Sequence, residues 1–220
     1  MKRIIRQSIT NAGAGASRRD FLSLIIAAPV ALVTSQGRSP ALAQRPPVTS
    51  PDSPYSRAFD FASLDGWITP NPEFFVRSHF GIPKLAASSW EVSVSGAVER
   101  PRTFTFDDLM KLPAQEEVVT LECAGNLVGW GGVSNARWAG ASLCALLKAA
   151  GVRADAGEVI LVGADGGAER EAGGVQIDAY ARSIPLAKAL DSATLLAFKM
   201  NGEALPPAHG GPLRAIIPGW

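Results

Sequence analysis

Along Glu91–Val98 apolar and polar residues alternate, with Val92, Val94 and Val98 on one side, which predicts a half-buried strand with a bulge at Gly96. Arg102–Phe106 predicts a second short strand. Asp107 is placed to cap a helix over Asp108–Leu112 that Pro113 ends. Val118, Val119 and Leu121, beside Thr120 and Glu122, predict a strand that breaks at Cys123-Ala124-Gly125-Asn126. Over Ala141–Ala150 the period changes. Leu143, Leu146, Leu147 and Ala150 stand at i, i+3, i+4 and i+7, the stripe of an amphipathic helix, and Gly151 follows as its C-terminal cap. Glu158–Val162 reads as a strand running into the turn-rich Gly163–Gly167, and Pro185–Leu190 as a short helix. Thr194–Met200 is a strand closed by the hairpin signal Asn201-Gly202, and Leu213–Ile217 is the last strand. Upstream, Pro70, Pro72 and Pro83 bracket Glu73–Ile82, so that segment is extended or a short turn. Short strands, short helices and many turns together predict an α+β fold built on a mixed β-sheet.

The first 43 residues follow a different pattern. Lys2, Arg3 and Arg6 give a positive start, Ser17-Arg18-Arg19-Asp20-Phe21-Leu22 carries twin arginines, and a moderately apolar run extends from Leu24 to Val33. Ala41-Leu42-Ala43 has the small-x-small form of a signal-peptidase site. Residues 1–43 are therefore expected to be a Tat export signal outside the fold, and the protein to reach the periplasm. An ordinary secretory signal or an N-terminal anchor is the alternative. Pro29 and the brevity of the apolar run argue against a membrane span, which needs about 20 apolar residues. Proteins that cross folded commonly carry a cofactor inserted beforehand, so the signal itself raises the expectation of a cofactor-bearing enzyme. Residues 44–66, rich in Pro, Ser and Asp, read as an extended leader, and residues 67–220 as the domain proper.

Charge changes the picture once the signal is set aside. The whole chain has a formal net charge of +1, and residues 1–43 hold six of its 21 basic and one of its 20 acidic groups. The remainder, 15 basic against 19 acidic, is net −4 with no basic run, which argues against a nucleic-acid partner. Cys123 and Cys144 are the cysteines of the chain. Cys144 lies inside the predicted helix next to its apolar stripe, a packing position. Cys123 lies at the mouth of a strand before Gly and Asn, where a thiolate could serve as a soft metal ligand or a nucleophile. A buried cysteine, or a disulfide formed in an oxidising compartment, is the other reading.

Polar residues recur in four separated segments. Phe74-Phe75-Val76-Arg77-Ser78-His79 sets a cation and a histidine in an aromatic run. Cys123-Ala124-Gly125-Asn126 is the second. Ser134-Asn135-Ala136-Arg137-Trp138-Ala139-Gly140 sets an Arg–Trp pair in what reads as a small-residue loop, where a surface cation–π contact is the plain alternative. His209-Gly210-Gly211-Pro212-Leu213-Arg214 flanks a glycine loop with His and Arg, chemistry suited to an anionic phosphate.

In this order, with YARSIPL, FKMNGEALPPAHGGPLR and a closing IPGW, the segments resemble the sulfite oxidase family of molybdopterin oxidoreductases from about Trp67 onward. The resemblance implies Mo-molybdopterin as cofactor and Cys123 as the protein sulfur on molybdenum. It implies cofactor contacts from Phe75, Val76, Arg77, Ser78 and His79, from Asp165 in its glycine-rich loop, and from His209 and Arg214. It places Arg77 near the metal as well, and Arg77 with Arg137 as cations for a small oxyanion substrate. Tyr180 is structural or lines the pocket edge.

Three departures qualify the likeness. Where the family usually reads CAGNRR, Asn126 is followed by Leu127 and Val128; Ser78 stands where many members have Asn. The family continues past IPGW into a Lys-bearing segment and an immunoglobulin-like dimerisation domain, so a chain closing on Pro218-Gly219-Trp220 is expected to be C-terminally truncated. The activity expected is oxygen-atom transfer on sulfite or a related oxyanion, with electrons passed to a separate periplasmic carrier such as a cytochrome c. The alternatives are a sulfoxide or other oxyanion reductase of the same family, an exported β-rich module with a Cys123–Cys144 disulfide, and an inactive fragment.

Overall fold

Two five-stranded sheets organise the chain in a computed structural model that describes residues 5–10, 56–78, 80–169 and 175–220. The first sheet is mixed. It runs β11 (Ala181–Pro185), β8 (Glu158–Val162), β1 (Ile5–Thr10), β4 (Glu91–Gly96), β5 (Arg102–Thr105), with β1 and β4 parallel and the other pairs antiparallel. The second is antiparallel: β13 (Glu203–Ala204), β12 (Leu195–Met200), β7 (Val133–Ser142), β6 (Ala114–Glu122), with β14 (Arg214–Ile216) also paired to β12. A ribbon of β2 (Ser56–Arg57) on β3 (Val76–Arg77) and a hairpin of β9 (Gly167–Glu169) with β10 (Val175–Ile177) complete the strands among the described residues. Among the described residues the α-helices are short: α1 (Phe106–Met110), α2 (Leu143–Ala150) and α3 (Leu186–Ala189). The expected α+β architecture with a mixed sheet is what forms.

Ile5–Thr10, expected to lie in an export signal outside the fold, forms a strand between β4 and β8. Its sequence, Ile-Arg-Gln-Ser-Ile-Thr, holds β-branched residues at Ile5, Ile9 and Thr10, which suit a strand. The twin arginines and the Ala41-Leu42-Ala43 site lie outside the described residues. Within the expected leader, Ser56 and Arg57 pair with Arg77 and Val76, and the backbone N–H of Phe59 donates to the Gly131 carbonyl at 2.8 Å.

Local chemistry explains the element ends. Helix α2 buries the expected stripe, Leu143, Leu146, Leu147 and Ala150, and ends on Gly151 in the left-handed region (φ 72°). Burying each leucine contributes roughly 1.5–3 kcal/mol. The helix expected over Asp108–Leu112 begins earlier, at Phe106. Its cap is Thr105 rather than Asp107: the Thr105 hydroxyl accepts from the Asp108 N–H at 3.2 Å and the Asp108 carboxylate accepts from the Thr105 N–H at 3.1 Å. Asn201 and Gly202, both at positive φ, make the tight turn between β12 and β13.

The segment Ser134–Gly140, expected as a loop, is the middle of β7. It pairs with β6 from Ala114↔Ala141 to Glu122↔Val133 and with β12 on its other side, so both sides supply the pairing its small residues do not promise. Strand alternation sends Trp138 into the interior and Arg137 to the surface. One apolar cluster joins Trp90, Val92, Val94 and Phe104 with the α2 stripe, Val159 and Ile184. A second joins Phe74, Ala136, Trp138, Leu195, Met200, Leu205 and Ile216. Between the sheets lies a cleft.

Candidate active site

The cleft measures about 720 Å³, and its walls come from both sheets. Leu121, Glu122, Cys123 and Ala124 enter from the end of β6, Phe75, Arg77 and Ser78 from β3 and its flanks, and Gly210, Gly211 and Arg214 from the loop into β14. Asp165, Tyr180 and Arg182 also line it, from the loop after β8 and the start of β11.

Cys123 opens the β6–β7 connection. Its N–H donates to the Gly132 carbonyl at 2.9 Å, extending the ladder by one bond, and its carbonyl accepts from the Asn126 N–H at 2.8 Å. The Asn126 side chain spans the loop: its amide donates to Glu122 Oε1 at 2.9 Å and its oxygen accepts from the Gly132 N–H at 2.8 Å. The Cys123 side chain is therefore set by a fixed turn. A β-carbon at Gly131, whose φ is 76°, would stand 2.0 Å from the Phe59 carbonyl oxygen, so only glycine lets the loop seat on that segment. Both Cys123 and Cys144 are half-buried free thiols, and the Cys123–Cys144 disulfide considered above does not form.

Three arginines line the cleft, each braced on an aromatic face. Arg77 lies 6.0 Å from the Trp130 ring, Arg182 lies 4.2 Å from Tyr180 and Arg214 lies 5.4 Å from Trp138. Among the described residues, none of the three is ion-paired to a carboxylate. Arg214 donates to the His209 carbonyl at 3.1 Å, and desolvation lowers its pKa to about 10, so it remains a cation at neutral pH. An enclosed guanidinium without a counter-charge is costly unless an anion meets it.

His209 stands behind this wall rather than on it. It is buried, its Nε2 lies 3.1 Å from the Asn71 carbonyl, and Nδ1 is buried without a partner. With Nε2 donating to that carbonyl, Nδ1 presents a bare lone pair. Burial lowers the His209 pKa, and the nearby Arg214 and Arg57 charges add to the effect, so the ring is neutral. Its carbonyl, not a charge on its ring, reaches Arg214. Gly211 lies so close to Leu205 that a β-carbon there would stand 2.1 Å from the Leu205 carbonyl oxygen. This tight turn follows His209 and precedes Arg214.

The cleft brings together Phe75, Arg77, Ser78, Cys123, Asp165 and Arg214 of the residues expected from sequence, with Tyr180 at its edge. Val76 is buried in support, and His79 lies outside the described residues. Arg137, expected to act as a substrate cation, is not brought in. It is exposed on β7 and bonded to Glu116 at 2.9 Å, because Trp138 takes the inward direction of that strand. Sequence reasoning missed Arg182, Trp130 and the Asn126–Glu122 bond. Two-residue spacing from Tyr180 to Arg182 on an extended segment was the available signal.

Among the described residues, no group of three or more His, Cys, Asp or Glu is arranged to hold a metal ion. Cys123 supplies one soft ligand and no others converge with it, so a metal there needs ligands carried by an organic group. The unmatched Arg214 suits an anionic end of such a group. These residues fit a phosphate-bearing, metal-holding pterin.

A sequence profile described as "Oxidoreductase molybdopterin binding domain" matches residues 79–220. Mouse mitochondrial sulfite oxidase is 40% identical over 174 residues, covering 70% of this chain and 31% of that protein. An NADH nitrate reductase of Brassica napus is 40% identical over 172 residues, covering 70% of this chain and 19% of that protein. The crystal structure of the sulfane dehydrogenase SoxCD from Paracoccus pantotrophus superposes with a TM-score of 0.64 at 33% identity, over 72% of this chain and 41% of that one. The matched part of this chain thus covers less than a third of the length of these curated relatives.

Proposed function

Because the chain belongs to the oxidoreductase molybdopterin-binding domain family, we propose that it holds Mo-molybdopterin in the cleft between its sheets and works as a sulfite oxidase-like oxidoreductase. The observation that carries this reading is the free thiol of Cys123 opening into the same cleft as Arg77 and Arg214. Bound there, the cofactor supplies two-electron oxygen-atom transfer. Cys123 holds the metal as its protein thiolate, on a turn fixed by the Asn126 side chain. Arg214 meets the phosphate, seated on Trp138 and the His209 carbonyl. Arg77, held against Trp130, attracts an anionic substrate such as sulfite and orients it through paired N–H groups. Electrons leave to a separate carrier, a periplasmic cytochrome c in our reading. The twin-arginine motif supports export of the folded, loaded protein to the periplasm. Among the described residues no helix is long and apolar enough to cross a membrane.

A second reading, reduction of a sulfoxide or related oxygen donor, has a specific basis. Leu127 and Val128, at 58% and 108% relative exposure, occupy loop positions where a sulfite-binding site would gain from cations. Sulfite-dependent reduction of cytochrome c, assayed beside sulfoxide-dependent oxidation of a reduced dye, separates the two. Sulfite turnover alone supports the first reading, and sulfoxide turnover alone the second. Molybdenum-free protein inactive in both assays contradicts the enzyme reading.

A further inference from the structure

Asp165 and Arg182 carry opposite charges on the same wall of the cleft, and they do not pair with each other. Their backbones are tied closely. The Tyr180 N–H donates to the Asp165 carbonyl at 2.7 Å, the Gly163 N–H donates to the Tyr180 carbonyl at 2.7 Å, and Arg182 pairs with Leu161 in the β11–β8 ladder. Among the described residues, no carboxylate pairs with Arg182. Its guanidinium lies 4.2 Å from the Tyr180 ring, and its Nη1 donates to the Ala181 carbonyl at 2.8 Å. The cation–π contact seats the guanidinium on the ring and leaves further N–H groups to donate. The cleft thus offers a carboxylate acceptor and a guanidinium donor on backbone segments tied to each other, alongside Arg214 and Cys123.

This donor and acceptor set matches one edge of a 2-amino-4-oxopyrimidine ring. That edge presents an amino group and a ring N–H, both donors, next to a carbonyl acceptor. We propose that Arg182 is a cofactor-binding residue, donating to the ring carbonyl of the pterin while Asp165 accepts from the amino and ring N–H groups. The inference rests on the cofactor reading above and assigns to Arg182 a contact that the motifs of the sequence do not. Tyr180 then serves as the platform that aims Arg182.

Retention of the pterin tests this without recourse to turnover. Wild-type protein and the Arg182→Ala, Arg182→Lys and Arg214→Ala variants are purified loaded, and bound pterin is followed by fluorescence after oxidative release during prolonged dialysis. Arg182→Ala is expected to lose pterin roughly tenfold faster than wild type, since a charge-assisted hydrogen bond goes, with Arg182→Lys in between. Arg182 is exposed, so the fold should persist, and unchanged thermal unfolding of the pterin-free forms checks this. Wild-type retention in Arg182→Ala, together with rapid loss in Arg214→Ala, overturns the Arg182 assignment and leaves the cofactor reading standing. Wild-type protein without pterin overturns both.

Discussion

The guanidinium of Arg214 lies 5.4 Å from the Trp138 ring centre and donates to the carbonyl of His209 at 3.1 Å. Trp138 is fully buried in the second apolar cluster, so packing positions the ring and the ring sets where the charge stands. The cation is therefore held in a desolvated site before any anion arrives, a preorganised phosphate seat. Arg214→Met keeps the volume and removes the charge. Removing a desolvated charge that has no counter-charge relieves a cost to folding, so cofactor-free stability should hold or rise while bound pterin falls sharply. Urea unfolding and pterin content measured on the same preparations check both halves.

Trp138 itself should be costly to truncate. Trp138→Ala leaves a cavity among Phe74, Leu195 and Met200 and removes the seat of Arg214. A loss of about 3–5 kcal/mol is expected, with Leu147→Ala in the other cluster at about 2–5 kcal/mol. Denaturant midpoints give the values. Trp138→Ala should also lower pterin retention, whereas Leu147→Ala, on α2, should not.

Loop geometry gives a third expectation. Gly131→Ala sets a β-carbon against the Phe59 carbonyl at a positive φ, so the segment carrying Phe59 must move off the β6–β7 loop. Hydrogen exchange at the Phe59 N–H, which donates to the Gly131 carbonyl, should accelerate markedly in this variant and remain slow in Gly157→Ala, where nothing lies within 4 Å and φ is not positive.

His209 makes stability depend on pH in a defined direction. Its folded pKa is lowered by burial, so the unfolded chain binds the proton more readily and stability rises with pH across the range below its ordinary value near 6.5. The contribution is complete above that value and is lost as pH falls through it. His209→Gln should flatten this part of the stability profile. Thermal unfolding between pH 5 and 8 measures it.

Much of this was legible from the chain. The α2 stripe and the Asn201-Gly202 turn follow from local periodicity and turn chemistry, and Cys123 and Arg214, singled out by the residue sets of their short motifs, line the cleft together with Asp165, which the family resemblance implied. What escaped was set by partners distant in sequence. Ser134–Gly140 lacks the β-branched residues that mark a strand, yet pairing with β6 and β12 makes it one, and that strand turned Arg137 outward to Glu116. Arg182 was passed over for the same reason, since Ala181–Pro185 ends on proline and becomes a strand only beside β8. The N-cap was misplaced by two residues because Asp107 and Asp108 are adjacent, and only the reciprocal bonds of Thr105 decide between them.

The central claim is that the Cys123 sulfur is bonded to a pterin-held molybdenum. Molybdenum K-edge absorption of loaded wild-type protein and of Cys123→Ser tests it most directly. The account predicts one fewer sulfur neighbour on molybdenum in the variant, with turnover abolished and the fold retained; an unchanged sulfur count, or turnover at the wild-type rate, would contradict it.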